Sequence, residues 1–98
     1  MQTVAEGLAT GHGYELTQAI LWDMLDDFLL VSDDEIRHAI GVLVDKAHTL
    51  AEGAGATAIA GILKMRESLR ERRVAAVVSG GNITLAQLRD ALAAYKPE

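Results

Sequence analysis

The chain has 98 residues, 50% of them apolar and 23% charged, with no cysteine, one proline and a net charge of −5. That balance excludes a disordered chain, disulfide or thiolate-metal chemistry, and the basic face that a nucleic-acid backbone requires. A basic leader followed by an apolar core is absent from the first thirty residues, and no apolar run reaches membrane-spanning length. The expectation is a single soluble, cytoplasmic domain over residues 1–98, with no nucleic-acid or membrane partner.

Residues 1–13 carry Gly7, Gly11 and Gly13 at no fixed period and read as a loop. From Tyr14 to Leu25, the apolar residues Leu16, Ile20, Leu21, Met24 and Leu25 keep helical spacing and predict a first helix. Two acids followed by four apolar residues then predict a short buried strand over Asp27–Val31. Ser32 and Glu35 form a capping-box pair, with Asp33 and Asp34 where the helix dipole favours negative charge. Behind them Ile36, Ala39, Ile40, Leu43, Val44 and Ala47 share one face of a helix that ends near His48.

The stretch from Glu52 is small and apolar on nearly every side up to Ile62, which predicts a helix in close packing. From Lys64 to Arg73 it turns charged and should emerge into water. Val74–Val78 reads as a second buried strand, and such continuous apolar runs suit parallel sheets covered on both faces. Thr84 and Gln87 repeat the capping box, and Leu85, Leu88, Leu92 and Tyr95 form the stripe of a last helix. The order is α-β-α-α-β-α, an α/β fold with two short, parallel strands and four helices. Two strands that are apolar on both faces are marginal alone, so they call for cover from other copies or from further chain.

Few residues suggest chemistry. Ser79-Gly80-Gly81-Asn82 joins the second strand to the last helix. Glycines there would let a backbone approach a ligand, or would merely permit a tight turn. Glu52 at the start of an apolar helix either meets a ligand or answers the helix dipole, and the dipole explains it without further assumption. His12, His38 and His48 have no metal-ligand spacing, and the aspartates at 23, 26, 27, 33 and 34 read as turn and cap residues. Ser79 has no histidine near it in sequence, and Lys46, Lys64 and Lys96 sit in charged surroundings. No catalytic residue and no metal ligand is assigned.

Three segments taken together carry a resemblance: TVAEGLA at 3–9, VSDDEIRHAIGVLVDKAHTLAEGAGATAIAGIL at 31–63, and VAAVVSGGNITLAQL at 74–88. In that order and spacing they resemble the threonine and serine dehydratases. These are pyridoxal-phosphate enzymes of the tryptophan-synthase-β type, which also include serine racemase. The resemblance runs from Gln2 to about Leu92 and is to the last third of the family's catalytic domain. It implies that Ser79 shares a hydrogen bond with the cofactor's pyridine nitrogen, that Gly80, Gly81 and Asn82 shape the loop around that contact, that Glu52 lies beside the ring, and that Gly7 lies near its other side. Glu6 stands where the family usually has aspartate.

The family's Schiff-base lysine, its tetraglycine phosphate cradle and its cation ligands belong to parts that this sequence does not contain. The resemblance therefore implies β-elimination from L-threonine or L-serine only in company. The isolated chain is expected to be inactive and not to hold pyridoxal phosphate, and its partners are expected to be further copies or a complementing N-terminal enzyme fragment. A stand-alone oligomeric module without enzymatic activity is the alternative. A small anion or nucleotide binder built on Gly80, Gly81 and the helix at Thr84 is a weaker one.

Overall fold

Two capping boxes mark where the ordered helical layer begins and where its last helix starts. In a computed structural model describing residues 2–97, the Ser32 hydroxyl accepts from the Glu35 amide at 3.1 Å, and the Glu35 carboxylate accepts from the Ser32 amide at 2.8 Å. That second bond holds the Glu35 carboxyl below the usual carboxylate range, with Lys64 contributing. Thr84 and Gln87 repeat the exchange at 3.1 Å in both directions. Four helices follow from the patterns above: α1 Glu15–Met24, α2 Asp33–Ala47, α3 Gly53–Lys64 and α4 Leu85–Ala94. α2 stops where His48 turns left-handed at φ 51°, with its imidazole Nδ1 3.2 Å from the Val44 carbonyl oxygen.

α2 lies at the centre, packed on α3 and on α4, and a single 3-10 turn at Glu6–Leu8 packs on α3. The core consists of Ala5, Ile36, Ala39, Ile40, Leu43, Ala51, Ala56, Ala60 and Ala91, and none of its large side chains is completely enclosed. Alanines bury little area each, so the helices gain from close backbone approach more than from transfer of bulky side chains. Arg37 reaches from α2 to Asp90 of α4 at 3.1 Å while also holding Asp34 at 3.0 Å. Such exposed pairs add under about 1 kcal/mol each.

The structure corrects the expected strands. Among the described residues there is no strand, and both 27–31 and 74–78 are irregular and largely exposed. A strand exists through its neighbours' hydrogen bonds, and neither segment has a neighbouring strand. The α/β order therefore reduces here to four helices joined by two unpaired segments. The charged continuation expected beyond α3 is also interrupted: after Lys64 the chain passes into turns, and Glu71 sits at φ 63°. Met1 of the expected loop at 1–13 lies outside the described residues, as does Glu98 of the expected domain.

α1 forms where its spacing predicts, yet among the described residues it packs on no other element and buries none of its own. Trp22 is 92% exposed, with Leu16 and Met24 beside it on the same open helix. The accessible surface is 7646 Å². A folded monomer of this mass shows about 5,400 Å². Some 40% more surface than expected means that the apolar faces read from the sequence are real but uncovered.

Tyr95, just past α4, closes the α2–α4 contact. Its ring lies on Gly41 so closely that no side chain fits there, and its hydroxyl donates to Asp45 Oδ2 at 2.7 Å. The Tyr95 hydroxyl, helped by Lys46, holds the Asp45 carboxyl below its ordinary range. A depressed carboxyl pKa stabilises the fold above the unfolded-state value and loses that contribution as pH falls through the folded-state value. Tyr95→Phe is therefore expected to lower Tm near neutral pH, with the gap from wild type closing in acid. Thermal melts followed by circular dichroism across pH 2–7 check it, and a gap that persists in acid would show that the bond to Asp45 is not its source.

Candidate functional site

The start of α3 is where distant parts of the chain meet. Its first residues are glycine or alanine, and Gly53 and Gly55 each take a backbone neighbour that a larger residue would exclude. A Cβ on Gly53 would overlap the Val4 carbonyl, and one on Gly55 would overlap the Gly80 carbonyl. A Cβ on Gly7 would lie 3.0 Å from the Ala54 methyl, and one on Gly81 would lie 2.8 Å from the Leu50 carbonyl oxygen. Gly80 and Gly81 both keep negative φ, since among the described residues no glycine has positive φ. Lack of room, and not turn conformation, is what favours glycine at Gly81.

One backbone hydrogen bond fixes the arrangement. The Glu52 amide donates to the Gly80 carbonyl oxygen at 3.1 Å, and Glu52 is the N-cap of α3. The Glu52 carboxylate folds over Gly80, occupying the space a side chain there would need. Negative charge at this position also answers the positive end of the helix dipole. A hydrogen bond from the Ile83 amide to the Gly81 carbonyl at 2.8 Å tightens the turn into Thr84 and α4.

The N-terminal segment is tied in from two sides. Asp33, in the first turn of α2, accepts from the Thr3 hydroxyl and from the Val4 amide, the latter at 3.3 Å. Gln87 of α4 donates to the Glu6 carboxylate at 3.3 Å. The longer side chain at position 6 thus has a partner on α4.

Of the six residues singled out by resemblance, Gly7, Glu52 and Gly80 meet at the first turn of α3, and Gly81 lies against Leu50 just before it. Ser79 and Asn82 flank the glycines, both exposed and without a hydrogen bond among the described residues. Their hydroxyl and amide groups are available to something outside the chain. The pattern did not single out Gly53, Gly55 or Asp33. The signal for the first two was the Gly-x-Gly at the head of a helix, where glycine otherwise costs stability. Neither helical lysine is free beside this site: Lys46, in the last turn of α2, pairs with Asp45 at 3.6 Å, and Lys64 lies at the far end of α3, about 18 Å along the axis. It is engaged there by the Leu30 carbonyl at 2.9 Å and by Glu35 at 3.4 Å. Among the described residues no group of histidines and carboxylates could hold a metal ion.

The model of the family described as "Pyridoxal-phosphate dependent enzyme" matches residues 1–80. The chain is 36% identical over 88 residues to the L-threonine dehydratase catabolic TdcB of Escherichia coli K12, an alignment covering 88% of this chain and 27% of that protein. It is 36% identical over 89 residues to the protein of the same description from Staphylococcus aureus USA300, covering 88% of this chain and 26% of that one. The chain spans about a quarter of the length of the relatives it matches.

The two kinds of glycine contact separate in a mutational test. Gly55→Ala pushes a methyl against backbone and is expected to destabilise the chain by about 1–3 kcal/mol. Gly80→Ala meets only the movable end of Glu52 and is expected to cost less than about 1 kcal/mol. Urea denaturation of both variants checks the order, and equal costs would contradict the close approach described.

Proposed function

Because the chain belongs to the pyridoxal-phosphate dependent enzymes, we propose that it supplies the cofactor-facing C-terminal segment of a cytoplasmic threonine/serine dehydratase-type domain, with the rest of that domain completing the site. The observation that carries this is the convergence of Gly7, Glu52, Gly80 and Gly81 around one helix end, with the Ser79 hydroxyl beside them having no hydrogen-bond partner among the described residues.

Pyridoxal phosphate, when bound, supplies the electron sink for β-elimination from L-threonine or L-serine. The chain's own residues make one wall for it. Ser79 would meet the pyridine nitrogen with a neutral hydroxyl, which neither enforces ring protonation as a carboxylate would nor leaves the nitrogen unpaired. Gly80 and Gly81 would let the backbone lie close to the ring edge, and Asn82 would offer amide donors at the loop's exit. Glu52, anchored through its own amide, would keep a carboxylate beside the ring, and Gly7 would leave room on the opposite side. None of these residues is assigned a bond-breaking role. The Schiff-base lysine and the phosphate cradle come from the complementing part, whether on the same polypeptide or another. The residues present fit the cofactor as a wall and not as a complete site.

A catalytically silent assembly of identical chains is the second reading, favoured by the uncovered face of α1. The test is co-expression of this chain with the E. coli threonine dehydratase from which the matching segment has been removed. The purified complex is expected to show the visible absorbance of bound pyridoxal phosphate and to release ammonia from L-threonine. Ser79→Ala is expected to leave association intact and to lower turnover at least tenfold, a loss of about 1.4 kcal/mol or more in transition-state stabilisation. Failure to associate, or a colourless and inactive complex, would overturn the proposal.

A further inference from the structure

The two capping boxes place different residues at the same position, and the difference follows a second contact. In the first box, Glu35 accepts from the Ser32 amide through Oε1, and the Lys64 ammonium lies 3.4 Å from that oxygen. In the second, Gln87 accepts from the Thr84 amide through Oε1, and its Nε2 donates to Glu6 Oε1 at 3.3 Å. Either residue type serves a capping box. An amide, however, brings two donors that a carboxylate lacks. A carboxylate at position 87 would face that of Glu6 with nothing to donate, so the neighbour, and not the cap, accounts for glutamine.

The two ends of this amide hold opposite sides of the candidate site. Thr84 follows the 79–82 loop, which the bond from the Ile83 amide to the Gly81 carbonyl draws into the start of α4. Glu6 opens the 3-10 turn that carries Gly7, and bonds from the Leu8 amide to Ala5 and from the Ala9 amide to Glu6 close that turn. Other ties of the N-terminal segment run to α2, through Asp33, and to α3, where Gly7 meets Ala54. Gln87 adds the tie to α4. Its half-buried side chain borders a cavity of about 30 Å³ together with Val4, Ile40 of α2 and Gly53 of α3. It therefore stands at the seam where the N-terminal segment meets α2, α3 and α4.

We propose that Gln87 is a positioning residue for the cofactor: its amide sets the distance between the Gly7 turn and the Ser79–Asn82 loop, and so the width of the wall that the completed site offers to the pyridine ring. The inference rests on the function proposed above. Gln87 acts through Glu6 and Thr84 and is given no contact with the ring.

The test compares two variants with wild type. Gln87→Glu keeps the cap and sets two carboxylates against each other, so its helical circular dichroism should match wild type. The exchanged pair, Glu6→Gln with Gln87→Glu, restores the cross-link with donor and acceptor reversed. In the chain alone, amide hydrogen exchange at Leu8 and Ala9 is expected to quicken about fivefold in Gln87→Glu, the scale of an exposed charge contact made or broken. It should return to the wild-type rate in the exchanged pair. In the complex with the truncated E. coli threonine dehydratase, pyridoxal phosphate titrated by its visible absorbance should bind about fivefold more weakly to Gln87→Glu, with association of the chains unchanged. The exchanged pair should again behave as wild type.

Unchanged exchange at Leu8 and Ala9 in Gln87→Glu would overturn the clasp and leave the proposed function standing. Faster exchange with unchanged cofactor affinity would overturn the positioning role, again without touching the proposed function. Weaker binding that the exchanged pair fails to restore would overturn the partnership with Glu6. A wild-type complex that takes up no pyridoxal phosphate would overturn both proposals together.

Discussion

The close approach of Gly55 to the Gly80 carbonyl, locked by the Glu52 amide, is the constraint on which the arrangement depends. It joins two segments separated by more than twenty residues and decides where the loop at 79–82 can lie. The residues around it are chosen for what they lack. Gly53 admits the Val4 carbonyl, Gly81 admits that of Leu50, and Ala54 admits the turn at Gly7. Each contact is worth little alone, because dispersion between a few atoms is small. Together they supplement a core whose only large buried side chains, among the described residues, are Ile36, Ile40 and Leu43.

Local signals in the sequence were legible where the physics is local. Both capping boxes form with the partners that their spacing implies, and α1, α2 and α4 follow their apolar periodicity to within a residue or two. The strands at 27–31 and 74–78 were the failure, and its cause is instructive. β-branched and apolar runs describe a segment fit for a sheet, but the hydrogen bonds of a sheet come from elsewhere in the fold. α1 has the same defect in helical form: its stripe is present and nothing lies against it. Periodicity reports which face is to be buried and says nothing of whether the covering partner is at hand.

The candidate site was legible only in part. Ser79 through Asn82 can be recognised as a loop with room for a ligand, and Glu52 as a helix cap. That the two touch follows from a pairing over 28 residues, which composition and spacing do not contain. The resemblance supplied the grouping, and the geometry brings Gly7, Glu52 and Gly80 to the head of α3. Gly53 and Gly55 were passed over because glycine in a small-residue helix reads as close packing in general, without naming the backbone that needs the space. Glu6 shows the opposite case, a departure from the family's usual aspartate that has its own partner in Gln87.

Six of the nine core residues are alanine, and this limits how the chain can diverge. A core of leucines and valines drifts by exchange, one position losing a methylene as a neighbour gains one, so that total volume is kept. Alanine has almost nothing to give up, and every alternative except glycine and serine is larger. Adjustment at Ala39, Ala56 or Ala60 therefore has one direction open to it, toward crowding, with few large core residues (Ile36, Ile40 and Leu43) able to yield. Descendants of this chain should vary freely on α1 and in the turns after Lys64 while repeating the same small residues along the α2–α3 seam. The interior is kept by scarcity of volume.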